Sequence, residues 1–300
     1  MFRTVTHQVV LKPLFCSSCL ILLEYFTIRI QMPSQELTLY TFAMSHFCEK
    51  IRWTLELCGL PFDEKPMTPV FHAVAAWRMG GRGRTSLPIL KISHTPSRVS
   101  FVQDSTRILA WLDRESGPFD LLPRCELAQD VSAIESRFDK VGQDVTRLIY
   151  AQAFKRPEKL LSFWSSSAAG WQRQCLKTAW PLVRAVYQHQ LEMSPKGLEQ
   201  AEHRLQQALA WLDGRLSDGR RFLVGDNLTV ADVAVAALLA PLACPDEHPV
   251  FSQADFKRYM LPPSASWLRD RPALRWVRSM YKQHRTALPT GLTNEAVAAA

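Results

Sequence analysis

The 300-residue sequence has no long apolar run that is free of both charged residues and helix breakers. A helix needs about 20 consecutive apolar residues to cross a bilayer, so this absence predicts that no segment spans a membrane. With 47% hydrophobic and 21% charged residues, the composition is that of an average globular protein. The length leaves room for about two domains of ordinary size.

The sequence also lacks a regular cysteine framework. Its seven cysteines are an odd number and are scattered along the chain, at positions 16, 19, 48, 58, 125, 175 and 244. This pattern is not that of a secreted disulfide scaffold, and it predicts a reducing, cytoplasmic compartment. Cys16 and Cys19 form a C-x-x-C, but no second cysteine pair and no histidine pair stands at zinc spacing. We therefore predict no metal site.

Acidic residues are scarce near both ends of the chain. Residues 1–35 are apolar and β-branched, and Glu24 is the single acidic residue before Met32. Glu24 and Arg29 interrupt the apolar centre that a secretory signal needs, and the scarcity of arginine is atypical of an organelle transit peptide. We favour a leader that is disordered or non-native, and organelle import is the alternative.

Near the other end, the segment 267–285 has six basic residues and one acidic residue, in a chain of net charge +8. On a helix these cations form one stripe beside an apolar face of Leu274, Val277 and Tyr281. A nucleic acid or an anionic membrane could bind such a stripe. We favour the solvated face of a terminal docking helix, and we predict no nucleic-acid partner.

From residue 36 the hydrophobic pattern predicts strands and helices in the order βαβαββα. The predicted strands are residues 37–42, 62–67, 87–92 and 98–103, and the predicted helices are residues 45–58, 70–79 and 104–115. We assign this α/β domain to residues 36–117, and a linker rich in turn residues to 118–123.

Helical periodicity without strand alternation predicts a second, all-α domain at residues 124–286, followed by a loose tail at 287–300. Its clearest element is "FLVGDNLTVADVAVAALLAPL", in which Thr229 is the predicted N-cap and Asp232 reaches back to it. The helix that follows is almost free of charge, so we predict that it is buried at the centre of the domain.

The helix that begins at Ser45 contains the candidate chemistry. Cys48, Ile51 and Leu55 recur at helical spacing, which predicts that Cys48 faces the core and that Ser45 lies at the helix mouth. The serine hydroxyl can cap the helix, or it can donate to an anion held there. If the anion is a thiolate, a hydrogen bond worth about 1.5 to 3 kcal/mol lowers the thiol pKa by about one to two units. Residue 45 alone does not decide between these roles.

Four stretches, spread between residues 36 and 286, resemble motifs of the soluble glutathione S-transferases. These are the serine-type "SHFCEKIR", the cis-proline segment "TSLPIL", the acid-serine pair in "QDSTRIL" and the capping motif "FLVGDNLTVAD". The resemblance implies a thioredoxin-like glutathione-binding domain followed by a helical domain. It also implies a detoxifying homodimer that conjugates glutathione to hydrophobic electrophiles.

The resemblance assigns roles to five residues. Ser45 would be catalytic and would stabilise the glutathione thiolate. Leu87, before a cis Pro88, would pair through its backbone with the cysteinyl part of glutathione. Asp104 and Ser105 would hold the γ-glutamyl group. Glutathione is then a co-substrate, and no cofactor or metal is implied.

The sequence departs from the family pattern at two of these motifs. His46 stands where the family often has proline, and we expect it to have a surface or lid role rather than to act as a base. Asp104 is one methylene shorter than the usual glutamate, which weakens the expected affinity for glutathione. Arg82 and Arg84 could meet the glycyl carboxylate or lie in a solvated loop.

Two other functions compete with conjugation. In the first, Cys48 is the reactive group of a glutathione-dependent thiol reductase or transferase, which requires an accessible sulfur with a low pKa. In the second, the protein is a non-catalytic module of the same fold that binds ligands or serves in assembly. Aromatic residues between 150 and 190 suit either a second-substrate pocket or a core, and we favour the core.

Overall fold

The computed structural model describes residues 35–80, 85–95, 97–115, 121–123, 126–166, 168–262, 268 and 270–285. The predictions for residues 1–34 of the leader, for the tail at 287–300 and for Arg82 and Arg84 lie outside the described residues. Residues 118–120, which are half of the predicted linker, also lie outside them.

A four-stranded mixed sheet forms the first half of the fold. Its strands are β1 (Glu36–Thr41), β2 (Phe62–Pro66), β3 (Ile89–Thr95) and β4 (Arg98–Gln103), in the spatial order β2-β1-β3-β4. Strand β1 runs parallel to β2 and antiparallel to β3, and β3 runs antiparallel to β4. The helices between and after the strands are α1 (His46–Leu57), α2 (His72–Gly80) and α3 (Ser105–Glu115). This confirms the predicted βαβαββα order.

The secondary-structure elements that follow in the described chain are all helices, joined by loops. They are α4 (Leu127–Ala153), α5 (Pro157–Trp164), α6 (Gly170–Thr178), α7 (Trp180–Gln190), α8 (Pro195–Arg215), α9 (Val230–Ala243), α10 (Ala254–Tyr259) and α11 (Pro272–His284). The predicted fold class, a thioredoxin-like domain followed by a helical domain, is confirmed. Because α1 packs directly against α9, the two halves share a core. The domain bounds at 36–117 and 124–286 remain predictions.

Helix α9 is the buried centre of the helical half, as its sequence predicts. All of its residues are buried, and Thr229 is its N-cap. The Asp232 carboxylate accepts hydrogen bonds from the backbone N–H groups of Thr229 at 2.8 Å and Leu223 at 2.7 Å. These bonds tie the preceding loop to the first turn of the helix. Within the described ranges, no helix combines the length and the hydropathy needed to cross a bilayer.

Helix α11 has the predicted apolar face, since Leu274, Val277 and Tyr281 are buried. The solvated-stripe interpretation is wrong for the end of the helix. Arg285 is only 5% exposed, and its guanidinium pairs with Glu49 and Glu56 of α1. Arg285 therefore holds the end of α11 against α1 through these ion pairs.

Candidate functional site

A cavity of about 860 Å³ lies between the start of α1, the start of α2 and helices α4 and α7. Ser45, His46 and His72 line it on the sheet side, and Tyr150 and Tyr187 line it on the helical side. Its volume is in the range of about 300 to 1,000 Å³ that is typical of small-molecule sites. Both halves of the fold therefore contribute to one candidate site.

Ser45 is the N-cap of α1 and lies in this cavity wall. Its backbone is extended, with φ −88° and ψ 112°, and its Oγ accepts a hydrogen bond from the Cys48 N–H at 3.2 Å. Its own N–H donates to the Phe42 carbonyl at 3.1 Å, which fixes the turn after β1. A hydroxyl that accepts through a lone pair keeps its proton for donation. Capping and donation to a ligand are thus compatible at this residue.

The other four predicted site residues form a connected group, and one of them, Leu87, lines the same cavity as Ser45. The Leu87–Pro88 peptide bond is cis, and Leu87 lines the cavity. The Pro88 carbonyl accepts a hydrogen bond from the Asp104 N–H at 3.1 Å, so the two segments are joined directly. Ser105, the first residue of α3, is buried. Pro88, Asp104 and Ser105 lie outside the described lining of the cavity, next to its Leu87 edge.

Asp104 has a left-handed backbone, with φ +89°, which is uncommon for a residue other than glycine. Its Oδ1 accepts a hydrogen bond from the Thr106 N–H at 3.1 Å and thereby caps α3. Clusters of such backbone conformations are found at functional sites, where the surrounding structure holds them in place. The functional role of Asp104 stays a prediction.

His46 is buried in the contact between α1 and α4, so the expected surface or lid role is wrong. Its Nε2 lies 3.0 Å from the Gly142 carbonyl oxygen and 3.3 Å from Thr146 Oγ1. Burial lowers the pKa of His46 to about 4, so the ring is neutral at pH 7 and its Nε2–H donates to the carbonyl. An added Cβ at Gly142 would lie 2.8 Å from Leu238 Cδ2. Gly142 is a glycine inside a long helix, and this is the sequence feature from which the close packing could have been predicted.

We expect acid to destabilise the protein partly through His46. The unfolded chain binds a proton below pH 6.5, whereas the buried ring does not until about pH 4. The free energy of unfolding should then fall with decreasing pH, by about 1.4 kcal/mol per pH unit from this group. In His46→Gln, which keeps a donor for the Gly142 carbonyl, this contribution should disappear.

The measurement is urea unfolding of wild type and His46→Gln between pH 6.5 and 4. The stability of wild type relative to the variant should fall by up to about 3 kcal/mol over this interval. His203→Gln at an exposed position of α8 is the control and should follow wild type. Parallel curves for wild type and His46→Gln would contradict the burial argument.

Cys48 points into the core, as its position on α1 predicts. It is fully buried, and its Sγ accepts a hydrogen bond from the Phe42 N–H at 3.4 Å. Burial raises the pKa of the Cys48 thiol to about 11. A protonated and inaccessible thiol is a poor nucleophile, so the geometry opposes the Cys48-dependent reductase.

His72, the first residue of α2, is a site residue that the sequence analysis missed. It lines the cavity and packs edge-on against Phe42, with ring centroids 4.6 Å apart. Its Nδ1 is buried without a hydrogen-bond partner among the described residues, and burial lowers its pKa to about 4. In the sequence it appears only as one polar position in a short apolar helix, which carries no signal of its place.

The aromatic residues of the helical half lie in the core, in the cavity wall or at the surface. Phe154 and Trp164 are buried, which confirms the core interpretation for them, whereas Tyr187 lines the cavity. Trp164 Nε1–H donates to the Tyr150 hydroxyl at 3.3 Å, so the core cluster supports the cavity wall. Trp171 belongs to neither group, because it is 63% exposed and contacts Phe71.

Two family models match the chain in sequence order. The glutathione S-transferase N-terminal domain matches residues 39–118, and the glutathione S-transferase C-terminal domain matches residues 195–278. Together they account for more than half of the 300 residues. Among curated proteins, none is similar enough in sequence to count as a relative.

Solved structures share the fold at low sequence identity. A glutathione transferase family member from Pseudomonas fluorescens Pf-5, with bound glutathione, is 17% identical, with a TM-score of 0.53 over 83% of this chain and 95% of that one. A glutathione S-transferase from Methylobacillus flagellatus KT, with glutathione bound, is 15% identical, with a TM-score of 0.52 over 83% and 96%. One from Methylobacterium radiotolerans JCM 2831, in complex with glutathione sulfonate, is 21% identical, with a TM-score of 0.50 over 80% and 93%.

Proposed function

We propose, from the premise that the chain belongs to the glutathione S-transferase family, that it conjugates reduced glutathione to a hydrophobic electrophile. The observation that carries the proposal is the position of Ser45. Its hydroxyl caps α1 and lines a cavity bounded by both halves of the fold. Binding of glutathione in the structures of similar fold supports the choice of co-substrate.

In this mechanism the cysteinyl sulfur of glutathione lies next to Ser45. The hydroxyl donates a hydrogen bond to the sulfur and stabilises the thiolate, and the thiol proton leaves to solvent. The free N–H groups at the start of α1 add to this stabilisation. The thiolate then forms a bond to an electrophilic carbon, and with an aryl halide the halide departs with its bonding electrons.

The remainder of glutathione would extend from Leu87 towards α3. The backbone at Leu87 would pair with the cysteinyl residue in β fashion. Ser105 and the first N–H groups of α3 would hold the γ-glutamyl carboxylate, as helix starts hold anions. Asp104 uses one carboxylate oxygen as a cap, and the other would pair with the ammonium group. Detoxification by a cytoplasmic homodimer is part of the same proposal and rests on the family alone.

We expect the purified protein to bind immobilised glutathione and to conjugate 1-chloro-2,4-dinitrobenzene. Cys48→Ser should keep the conjugation rate within about twofold, because the buried sulfur does not meet the substrate. The rate is followed by the absorbance of the thioether product. Failure to bind glutathione would favour the non-catalytic module. Disulfide exchange that is lost in Cys48→Ser, with no conjugation in wild type, would favour the thiol reductase.

A further inference from the structure

The cavity wall changes in polarity along helices α4 and α7. Gln143 and Arg147 lie one turn apart on α4, and Tyr150 follows one turn later. Helix α7 runs in the opposite sense, because its end at Leu191 contacts Arg147 whereas Tyr187 lies beside Tyr150. The cavity therefore has a polar end near Arg147 and an apolar, aromatic end near the two tyrosines.

The Arg147 side chain is held in one orientation at the polar end. Its Nε donates to the Leu191 carbonyl at 2.5 Å, its Nη1 to Asp144 at 2.8 Å and its Nη2 to Glu192 at 3.1 Å. The side chain is 13% exposed. The remaining guanidinium N–H groups have no partner among the described residues, and a fixed planar guanidinium suits bidentate binding of a carboxylate.

The charge at this end is not cancelled within the cavity. Arg147 is the only residue with a permanent charge among the described residues that line it, and His46 and His72 are neutral. Asp144 is shared with Arg204, whose Nη2 lies 2.6 Å from its Oδ1. The Glu192 side chain is 77% exposed, so solvent screens it. Among the described residues, Arg147 is therefore the one permanently charged group that an anion inside the cavity meets directly.

We propose that Arg147 binds a carboxylate of the second substrate. The electrophile is then an amphipathic carboxylic acid, with its charged group at Arg147 and its apolar body against Tyr150 and Tyr187. This inference rests on the proposed function, because it names the substrate class of the same cavity. It also assigns a second task to Arg147, which otherwise holds the end of α7 through the Leu191 carbonyl.

The test compares an acid with its uncharged ester in two assays. The unreactive probes are 4-nitrobenzoate and methyl 4-nitrobenzoate, whose binding is measured by calorimetry. The reactive probes are 4-chloro-3-nitrobenzoate and its methyl ester, whose conjugation to glutathione is measured by steady-state kinetics. The variants are Arg147→Gln, which loses the charge, and Arg147→Lys, which keeps it. Arg204→Gln is the matched control, because Arg204 pairs with the same Asp144 but lies outside the described lining.

We expect Arg147→Gln to weaken binding of the acid, and to raise its KM, by at least about tenfold while the ester is unaffected. Arg147→Lys should keep part of the preference, and Arg204→Gln should keep most of it, because the Arg147 guanidinium remains in the cavity wall. Equal losses for acid and ester in Arg147→Gln would overturn the inference and leave Arg147 a structural role. A rise in the KM for glutathione alone would also overturn it, since the carboxylate bound would then belong to the tripeptide.

The same assays separate failure of the transferase proposal from failure of the carboxylate-binding site at Arg147, here called the anion site. If wild type conjugates neither reactive probe but binds 4-nitrobenzoate through Arg147, the anion site stands and the transferase proposal falls. If wild type conjugates the ester and shows no preference for either acid, the transferase proposal stands and the anion site falls.

Discussion

Replacing Ser45 with alanine is expected to lower kcat/KM for conjugation of an aryl halide at pH 7 by about 10- to 100-fold. The variant loses a hydrogen bond to the thiolate worth about 1.5 to 3 kcal/mol, and the pKa of the bound thiol returns towards ~8.5. The deficit should shrink above about pH 9, because the thiol then ionises without help. This pH dependence distinguishes loss of thiolate stabilisation from a general loss of active protein.

The thiolate can be observed directly through its ultraviolet absorbance, titrated on the glutathione complex. In Ser45→Ala the midpoint should rise by about one to two units. Alanine also removes the α1 cap, at a cost of about 1 kcal/mol of stability, and Ser194→Ala controls for this loss. Ser194 caps α8 in the same way, since its Oγ accepts from the Gly197 N–H at 3.0 Å. Full activity in Ser45→Ala, or an equal loss in Ser194→Ala, would refute the assigned role.

Glu49→Gln is expected to cost about 3 to 5 kcal/mol of unfolding free energy at pH 7. Glu49 is 1% exposed, and its carboxylate pairs with Arg52 and, at 2.8 Å, with Arg285 Nε. A neutral glutamine leaves two buried guanidinium groups without this counter-ion, and removal of one member of a buried ion pair is strongly destabilising. Arg52 and Arg285 keep Glu64 and Glu56, which limits the loss.

The loss of unfolding free energy in Glu49→Gln should become smaller as the pH falls. Burial alone would raise the pKa of Glu49, but the charges of Arg285 and Arg52 outweigh it and lower the pKa to about 2. The stabilisation is then complete above pH 4.5 and is lost as the pH falls towards 2. Urea unfolding should show wild type and Glu49→Gln converging in acid. The control is Glu199→Gln, an exposed site on α8. A loss below about 1 kcal/mol at pH 7 would contradict the buried-cluster argument.

The sequence predicts the local structure well because that structure depends on neighbours in the chain. Hydrophobic periodicity gives the order of β1 to α3, and the caps at Ser45 and Thr229 follow from side chains that bond within three residues. The inward position of Cys48 follows from the same periodicity. The resemblance to a family adds the grouping of Leu87, Pro88 and Asp104, which periodicity cannot supply.

Contacts between distant residues could not be predicted in the same way. His46 meets the Gly142 carbonyl across 96 positions, and Arg285 meets Glu49 across 236. Each of these polar residues looks like a solvent-exposed one in a single sequence, because only the folded chain provides its partner. The same holds for Arg147, which appears as one cation in a long amphipathic helix until α7 packs beside it.

The ion cluster of Glu49, Arg52 and Arg285 also bears on how long the native state lasts. A contact between residues 236 positions apart closes a very long loop, so its entropy cost favours formation late in folding. Contacts that form after the rate-limiting step slow unfolding and leave the folding rate almost unchanged. We therefore expect the Glu49–Arg285 contact to lengthen the lifetime of the folded molecule, and with it the time for which the start of α1 stays in the cavity wall.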